Sequence, residues 1–332
     1  MVWVELGGQL ERVDSSHTAY LPSSFSGARS AILAPMIQSQ EPPAYGFGGE
    51  GKVTFAPEAS DWIFSAAVRY GRSNGARHLH HQTPGHITYA TGKVAPVRYS
   101  YFGDGQTEFH ESHFILDFQA GRDVGLGLFG SGGSSVVSAG VRIAQFNSNT
   151  NIDLHARPYA HFTPNKFFPQ FVNKYNRYNY NYTAVAQARR KTQAFGPSLS
   201  WEASQPLVHS GAHGMLNFDW GLNASILFGR QRAEVRHQTT AYYQALVWFR
   251  GSHPTVTART VHATHHTRAR NVTIPNIGGF AGLSLKFPNA KVALGYRADF
   301  FFGAEDDGID SARKTNVGFY GPFATVSIGV GG

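Results

Sequence analysis

The chain has 332 residues and no cysteine, which excludes disulfides, thiolate metal sites and a cysteine nucleophile. Its formal net charge is +8, but no basic helix or known nucleic-acid module accompanies that charge, so nucleic acid is not an expected partner. No run of about eighteen apolar residues occurs, which excludes a transmembrane helix. Since the composition shows no linker-like shift, residues 1–332 are predicted to form a single domain.

The first element in the chain is a predicted strand. Val2 to Val13 alternates apolar and polar residues, and this period of two is typical of a strand with one apolar face. A loop rich in Ser and Pro follows from Ser15 to Ala44. The first hairpin is then predicted over Tyr45 to Arg72, with a short turn at Pro57 to Asp61.

The same unit recurs three more times, and each copy keeps one apolar phase and one phase with charged or polar residues. The further hairpins cover His113 to Phe146, Phe195 to Phe228 and Gly278 to Phe302, and a final strand follows over Thr315 to Val330. The long segments that separate the hairpins are Ser73 to Thr107, Asn147 to Tyr182 and His237 to Arg268. Short and long connections therefore alternate, which is typical of outer-membrane barrels.

The pattern predicts an all-β fold: a closed antiparallel transmembrane β-barrel with short periplasmic turns and long extracellular loops. An initial strand, four hairpins and a final strand make about ten strands, and the expected location is the outer membrane of a Gram-negative bacterium. Twelve strands are the alternative, because Tyr242 to Phe249 and Thr255 to Val261 are also strand-like. A soluble sandwich would place the polar phase in water. The recurrence of the hairpins and the long loops favours the membrane.

In a membrane barrel the charged phase of the hairpins faces the lumen. Both signs of charge are present there, so the side chains either line a polar channel or pair with one another and fill the bore. Phe280, Phe301, Phe319 and Phe323 are predicted to point inward as well. The predicted pore-lining residues are Glu50, Lys52, Arg69, Asp117, Arg142, Glu202, Asp219, Lys286, Arg297 and Asp299.

Histidines cluster in two of the long segments. Imidazoles at such spacing can bind zinc or copper, but no carboxylate or thiolate partner stands at a known motif spacing. We therefore interpret them as solvated side chains and predict no metal site and no cofactor. The two groups are His78, His80, His81 and His86, and His262, His265 and His266.

Basic residues cluster near the predicted tops of the third hairpin. They either pair with the phosphates of outer-membrane lipids and lipopolysaccharide or form solvated strand ends. The residues are Arg189, Arg190, Lys191, Arg230, Arg232 and Arg236.

Several strand segments resemble a known family. HFILDFQAG (113–121), SAGVRIAQF (138–146), FGPSLSWEASQPL (195–207), KVALGYRADFFF (291–302) and NVGFYGPFATVSIGVG (316–331) are similar to the proteobacterial outer-membrane barrels of the Legionella-type major outer-membrane protein. The similarity covers most strands and little of the loops. It implies a porin-like, pore-forming protein.

The predicted function is passive diffusion of small hydrophilic solutes through a narrow or gated channel. The alternative is a structural or adhesive barrel that acts through its loops, such as the Tyr/Asn-rich stretch Asn173 to Tyr182. An outer-membrane hydrolase is less favoured, although Glu305, Asp306, Asp307 and Asp310 stand at one strand top and His110 at another. Because no G-x-S-x-G or H-E-x-x-H motif is present, the chain is not expected to be an enzyme.

Overall fold

The computed structural model describes residues 1–14, 44–58, 60–88, 97–125, 133–157, 159–162, 175–209, 214–247 and 255–330. All regular secondary structure in these ranges is β-strand. Within them no helix has the length and apolarity needed to cross a membrane. The strands are β1 (Val2–Asp14), β2 (Ala44–Phe55), β3 (Trp62–Thr88), β4 (Val97–Asp123), β5 (Ser134–Ala156), β6 (Tyr159–Phe162), β7 (Tyr175–His209), β8 (Met215–Val247), β9 (Thr255–Lys286), β10 (Ala290–Asp306) and β11 (Lys314–Val330).

The ten long strands form one closed antiparallel ring, as the sequence predicts. Each pairs with its neighbours along the chain, and β1 closes the ring by pairing with β11 from Val2 opposite Val330 to Asp14 opposite Gly318. The short strand β6 bridges β4 and β7 beyond the end of β5. Through the membrane-spanning part of the ring, closure leaves no free sheet edge, so the strands there satisfy their backbone hydrogen bonds without water.

The strands are longer than the sequence analysis predicts, and this is a correction. The sequence predicts loops over Ser73 to Thr107, Asn147 to Tyr182 and His237 to Arg268, but most of the described residues of these segments continue the barrel wall. The stretches 242–247 and 255–261 extend β8 and β9 and add no strand to the ring. Residues 15–43 of the predicted Ser/Pro-rich loop lie outside the described residues. The outward face of these extensions is mostly polar, and the short inward alternation of Ile152, Leu154 and Ala156 is the strand signal that the prediction overlooks.

Alternate side chains face opposite sides of the wall, and the predicted apolar phase faces outward. Leu294, Leu283 and Val141 are 63%, 48% and 46% exposed, whereas Phe218 is half-buried. On β10 the outward residues from Val292 to Phe302 are all apolar. At ~3.4 Å per residue this stretch is about 34 Å long. A tilt of 35–45° makes it roughly 25 Å tall, which is the height of the apolar band of an outer-membrane barrel.

An apolar layer fills the middle of the bore. Phe146 packs edge-on against Phe301 with ring centroids 4.8 Å apart and stacks on Phe319 at 6.0 Å. All three rings are buried, and so the inward orientation predicted for Phe301 and Phe319 is confirmed. The layer is completed by Val13, Phe109, Ile115, Ala144, Ala194, Leu227, Val272, Ile274, Ala304 and Val317.

Above this layer, the connection between β10 and β11 turns into the barrel. The pairing of the two strands shifts between Phe301 and Glu305, and Gly303 adopts a positive φ of 68°. A bulge with glycine in the left-handed region bends a strand sharply. Residues 304–308 are buried as a result. We refer to residues 303–313 as the strap.

Candidate functional site

The lower bore, on the short-turn side of the apolar layer, contains ion pairs that cross from one wall to another. Lys52 on β2 donates to both carboxylate oxygens of Glu202 on β7, each at 2.9 Å. Lys291 on β10 reaches Asp219 on β8 with an Nζ–Oδ2 distance of 2.6 Å. These contacts join strands that are not neighbours in the ring, and so they hold the bore at a fixed width.

A second group of charges lies between these pairs and the apolar layer. Arg142 on β5 donates from Nε to Asp117 Oδ1 on β4 at 2.7 Å and from Nη1 to Asn223 Oδ1 at 2.7 Å. Arg69 on β3 donates to Asp299 Oδ2 on β10 at 2.5 Å. Arg142 and Asp299 are almost fully buried. Each buried charge in this group therefore has an opposite charge, which a low-dielectric site requires.

Arg297 connects the two groups. It donates to Glu50 on β2, and its guanidinium lies 5.1 Å from the ring centroid of Phe323 and 5.7 Å from that of Phe280. Both phenyl rings line the cavity beside it, so their predicted inward orientation is confirmed. A cation over an aromatic face is stabilised by the ring quadrupole.

Two small cavities remain among these side chains. The upper one has a volume of about 60 Å³ and is lined by Arg69, Asp117 and Arg142, among others. The lower one has a volume of about 200 Å³ and includes Asp219 and Lys291 in its wall. Charged side chains line both cavities, and each is large enough for water. The lower bore is therefore narrow and charged, and its free space is divided into separate small cavities.

Nine of the ten predicted pore-lining residues lie together in this interior. Lys286 is the exception, because it is exposed at the short-turn end of β9 and lines neither cavity. Lys291 lies in this charged interior instead, although the prediction does not include it. It stands in the same phase as Arg297 and Asp299, so extending the alternation to the start of β10 finds it.

Two arginines on other strands hold the strap. Arg190 on β7 donates to the backbone oxygen of Asp306 at 2.7 Å, and Arg268 on β9 donates to its Oδ2 at 3.1 Å. Burial opposes ionisation of Asp306, but the backbone N–H groups of Arg313 and Gly308 and the Arg268 guanidinium outweigh it and hold its pKa below the ordinary value. An ionised Asp306 thus fixes the strap across the bore.

This placement corrects the interpretation of Arg190. The sequence pattern places Arg190 among outward basic side chains, but Arg190 is only 3% exposed and faces the interior. Its neighbours Arg189 and Lys191 face outward. Strand alternation separates adjacent residues onto opposite faces, so a run of three basic residues cannot share one surface.

A histidine outside the predicted clusters anchors the tip of the strap. His237 Nε2 on β8 lies 2.8 Å from Asp310 Oδ1, and His266 Nε2 on β9 lies 3.4 Å from the same oxygen. The hydrogen bond from His237 lowers the pKa of Asp310. Ligand atoms of the three residues lie within 4.8 Å of one another, a set that suits a zinc-like cation. Only the tertiary structure brings them together.

Two histidines of the other predicted cluster lie on the outer surface of β3. His78 Nε2 and His80 Nδ1 on β3 lie 2.7 Å and 3.3 Å from Asp104 Oδ1 on β4. Although burial opposes ionisation, the two hydrogen bonds lower the pKa of Asp104. The prediction of loop histidines is therefore wrong for this pair, and their exposure is as expected.

The acidic and histidine residues considered for hydrolysis do not form one site. His110 is exposed and contacts Asn74 Oδ1 at 2.9 Å, while Asp306 and Asp307 are buried inside the barrel. The barrel wall lies between them.

The fold and its interior define a class: this is a transmembrane β-barrel of the outer membrane, with an outward apolar band and a polar, ion-paired bore. A scan against family models finds no match, and neither does a search of curated proteins.

Solved structures give distant likenesses to other outer-membrane barrels. The chain is similar to the outer membrane protease OmpT from Escherichia coli at 8% identity, with 98% of this chain and 96% of that chain covered and a TM-score of 0.41. It is also similar to a mutant of the monoaromatic hydrocarbon channel TodX, at 10% identity, 99% and 90% coverage and a TM-score of 0.23. The translocator domain of the autotransporter NalP from Neisseria meningitidis gives 10% identity, 98% and 88% coverage and a TM-score of 0.22. At these scores the likenesses carry no argument about function, and the fold assignment rests on the closed ring itself.

Proposed function

We propose that the barrel passes small hydrophilic solutes through a narrow bore that is closed at rest and opens when the strap leaves it. The observation that carries the proposal is the charged lining of the lower bore. Removing ionised groups from water is costly, and an inert scaffold could fill this space with apolar side chains. The pairs formed by Lys52 and Glu202 and by Lys291 and Asp219 instead border water-sized cavities.

The gate of the proposed channel consists of the strap and the apolar layer below it. Phe301 belongs to this layer and precedes the glycine at which β10 bends into the bore. Release of the strap would straighten β10 and withdraw Phe301 from its contact with Phe146. The resemblance of the strands to a porin-like family also supports a channel.

A structural or adhesive barrel is the second candidate. The observation that favours it is the completeness of the apolar layer, since Phe109, Phe146 and Phe301 are each at most 1% exposed. In that case the ion pairs stabilise the barrel and the extended outer walls of β7, β8 and β9 present the binding surface.

Conductance of the refolded protein in a planar bilayer tests the proposal. Arg268→Ala removes the bonds to Asp306 Oδ2, Ile309 O and Gly308 O that hold the strap. We expect low conductance for the unaltered protein and a clear increase in open probability for the variant. Arg259→Ala is the matched control, because Arg259 is exposed on the same strand β9.

Ion selectivity identifies the path that the current follows. In the Arg268→Ala background, Arg297→Glu should move the reversal potential toward cation selectivity, since it reverses one charge in the bore. If correctly folded Arg268→Ala protein conducts no more than the Arg259→Ala control, the channel proposal is wrong and the structural or adhesive barrel is favoured.

A further inference from the structure

The outer surface of β7 and β8 changes abruptly from apolar to basic. Residues that stand opposite one another on neighbouring strands form a row across the barrel wall. One such row is mainly apolar and consists of Ile143, Phe195, Phe228 and Thr273. In it, Phe195 and Phe228 are 64% and 52% exposed. One row further from the short turn stands Arg230, opposite Gln193 and Asn271. The next row contains Lys191 directly opposite Arg232.

The basic side chains of this surface have no carboxylate to neutralise them. Among the described residues, Lys191, Arg230 and Arg232 form no ion pair, and all three are exposed. The nearby Glu234 is engaged by Arg236 at 2.7 Å and by His265 at 3.4 Å. Like charges directly opposite on neighbouring strands destabilise a sheet. An anion bound between Lys191 and Arg232 would relieve the repulsion between these two side chains.

A surface groove lies at the same boundary. It has a volume of about 740 Å³ and is lined by apolar side chains below and polar side chains above. Phe195, Phe228 and Ile143 form its apolar part, while Gln193 and Arg230 form its polar part. The long-strand end of the barrel, toward which the basic rows lie, is the extracellular side, since short turns face the periplasm.

We infer that this surface binds a phosphorylated glycolipid of the outer leaflet, of the lipid A type. Its phosphates lie between Lys191, Arg230 and Arg232, and one acyl chain lies in the groove against Phe195 and Phe228. Phosphates match the charge of the basic rows, and an acyl chain matches the apolar rows below them. A soluble anion would match the charge of the basic rows but would leave the apolar rows uncovered. The inference does not depend on whether the bore opens.

Binding of diphosphoryl lipid A to the detergent-solubilised full chain, followed by native mass spectrometry, tests the inference. We expect Lys191→Gln/Arg230→Gln/Arg232→Gln to weaken binding at least about tenfold, because charge-assisted hydrogen bonds are lost. Dephosphorylated lipid A should bind the unaltered protein as weakly as the phosphorylated lipid binds the triple variant. Phe228→Asn should weaken lipid binding and leave the weak binding of inorganic phosphate unchanged.

The matched comparison is between two single variants. Arg232→Gln should reduce lipid A binding, whereas Arg72→Gln, which changes an exposed arginine on β3, should not. Heat-modifiable mobility in gels checks that each variant is folded. Equal loss in both single variants, undiminished binding by the triple variant, or displacement of lipid A by equimolar inorganic phosphate would each overturn the inference.

Discussion

Lys52 and Glu202 meet inside the barrel although they stand four strands apart in a ring of ten, with Lys52 Nζ 2.9 Å from both carboxylate oxygens. The contact spans the bore, so the charged side chains of the strands connect opposite walls of the barrel. Arg69 and Asp299 make the same kind of connection between β3 and β10. Stability and the proposed conduction therefore depend on the same side chains.

Arg297→Glu should destabilise the barrel. The substitution removes the partner of Glu50 and places a second carboxylate beside it. Breaking a buried ion pair costs about 3–5 kcal/mol, so the free energy of unfolding should fall by that order. Thermal or urea unfolding in detergent measures the change. The exchanged pair Arg297→Glu/Glu50→Arg should recover part of the lost free energy of unfolding. If Arg297→Glu alone is as stable as the unaltered protein, the ion pairs do not stabilise the bore.

Leu294→Arg should destabilise the barrel from the outside. Leu294 faces outward as the second of the six outward residues of the apolar stretch of β10, toward its short-turn end. An arginine on the lipid face costs about 2–4 kcal/mol at the bilayer midplane and less toward the interfaces, so the cost at Leu294 should lie at or below the lower end of this range. Refolding into lipid vesicles with urea titration measures this cost. Spin labels at Leu294 and Ser284 give the control: equal access to water at both sites would refute the assignment of faces.

Acid should loosen the strap. Because the pKa of Asp306 in the folded protein lies below its ordinary value of about 3.9, its ionised form stabilises the strap above that value. This stabilisation is lost as the pH falls through the folded pKa. Asp310, whose pKa is also lowered, acts in the same direction. A spin label at Ile309→Cys, unique because the chain has no cysteine, should become mobile below about pH 4.

The variant Asp306→Asn separates this effect from general acid unfolding. It should make the Ile309 label mobile already at neutral pH and flatten the pH profile. Asp153→Asn, which changes an exposed aspartate on β5, should behave as the unaltered protein does. A label that is equally mobile at every pH in all three proteins would show that Asp306 does not hold the strap.

Gly303→Ala should disturb the strap at its hinge. Gly303 has a φ of 68°, where a residue with a Cβ atom is disfavoured by about 1–2 kcal/mol. Gly125→Ala is a matched control, because Gly125 has a φ of 63° and its added Cβ would contact no atom within 4 Å. Both variants should lose similar stability, but only Gly303→Ala should increase the mobility of the Ile309 label. Equal mobility in the two would argue against a hinge at Gly303.

The class of fold and the two faces of most strands can be read from the sequence. A period of two is a local property, so residues such as Leu294 and Arg297 could be assigned to opposite faces without knowledge of their neighbours. The strand number followed from counting hairpins. The outer extensions of β3, β7 and β9 are absent from the prediction, because strands that rise out of the membrane no longer carry a continuous outward apolar phase.

The pairing of the charges and the place where the bore is closed emerge only in the folded barrel. The partners Arg69 and Asp299 are 230 positions apart in sequence, and their contact depends on the register of all the strands that close the ring. The inward course of the strap depends likewise on Arg190 and Arg268, which reach it from other strands. No local pattern contains this information, because a barrel fixes distances across its bore through closure.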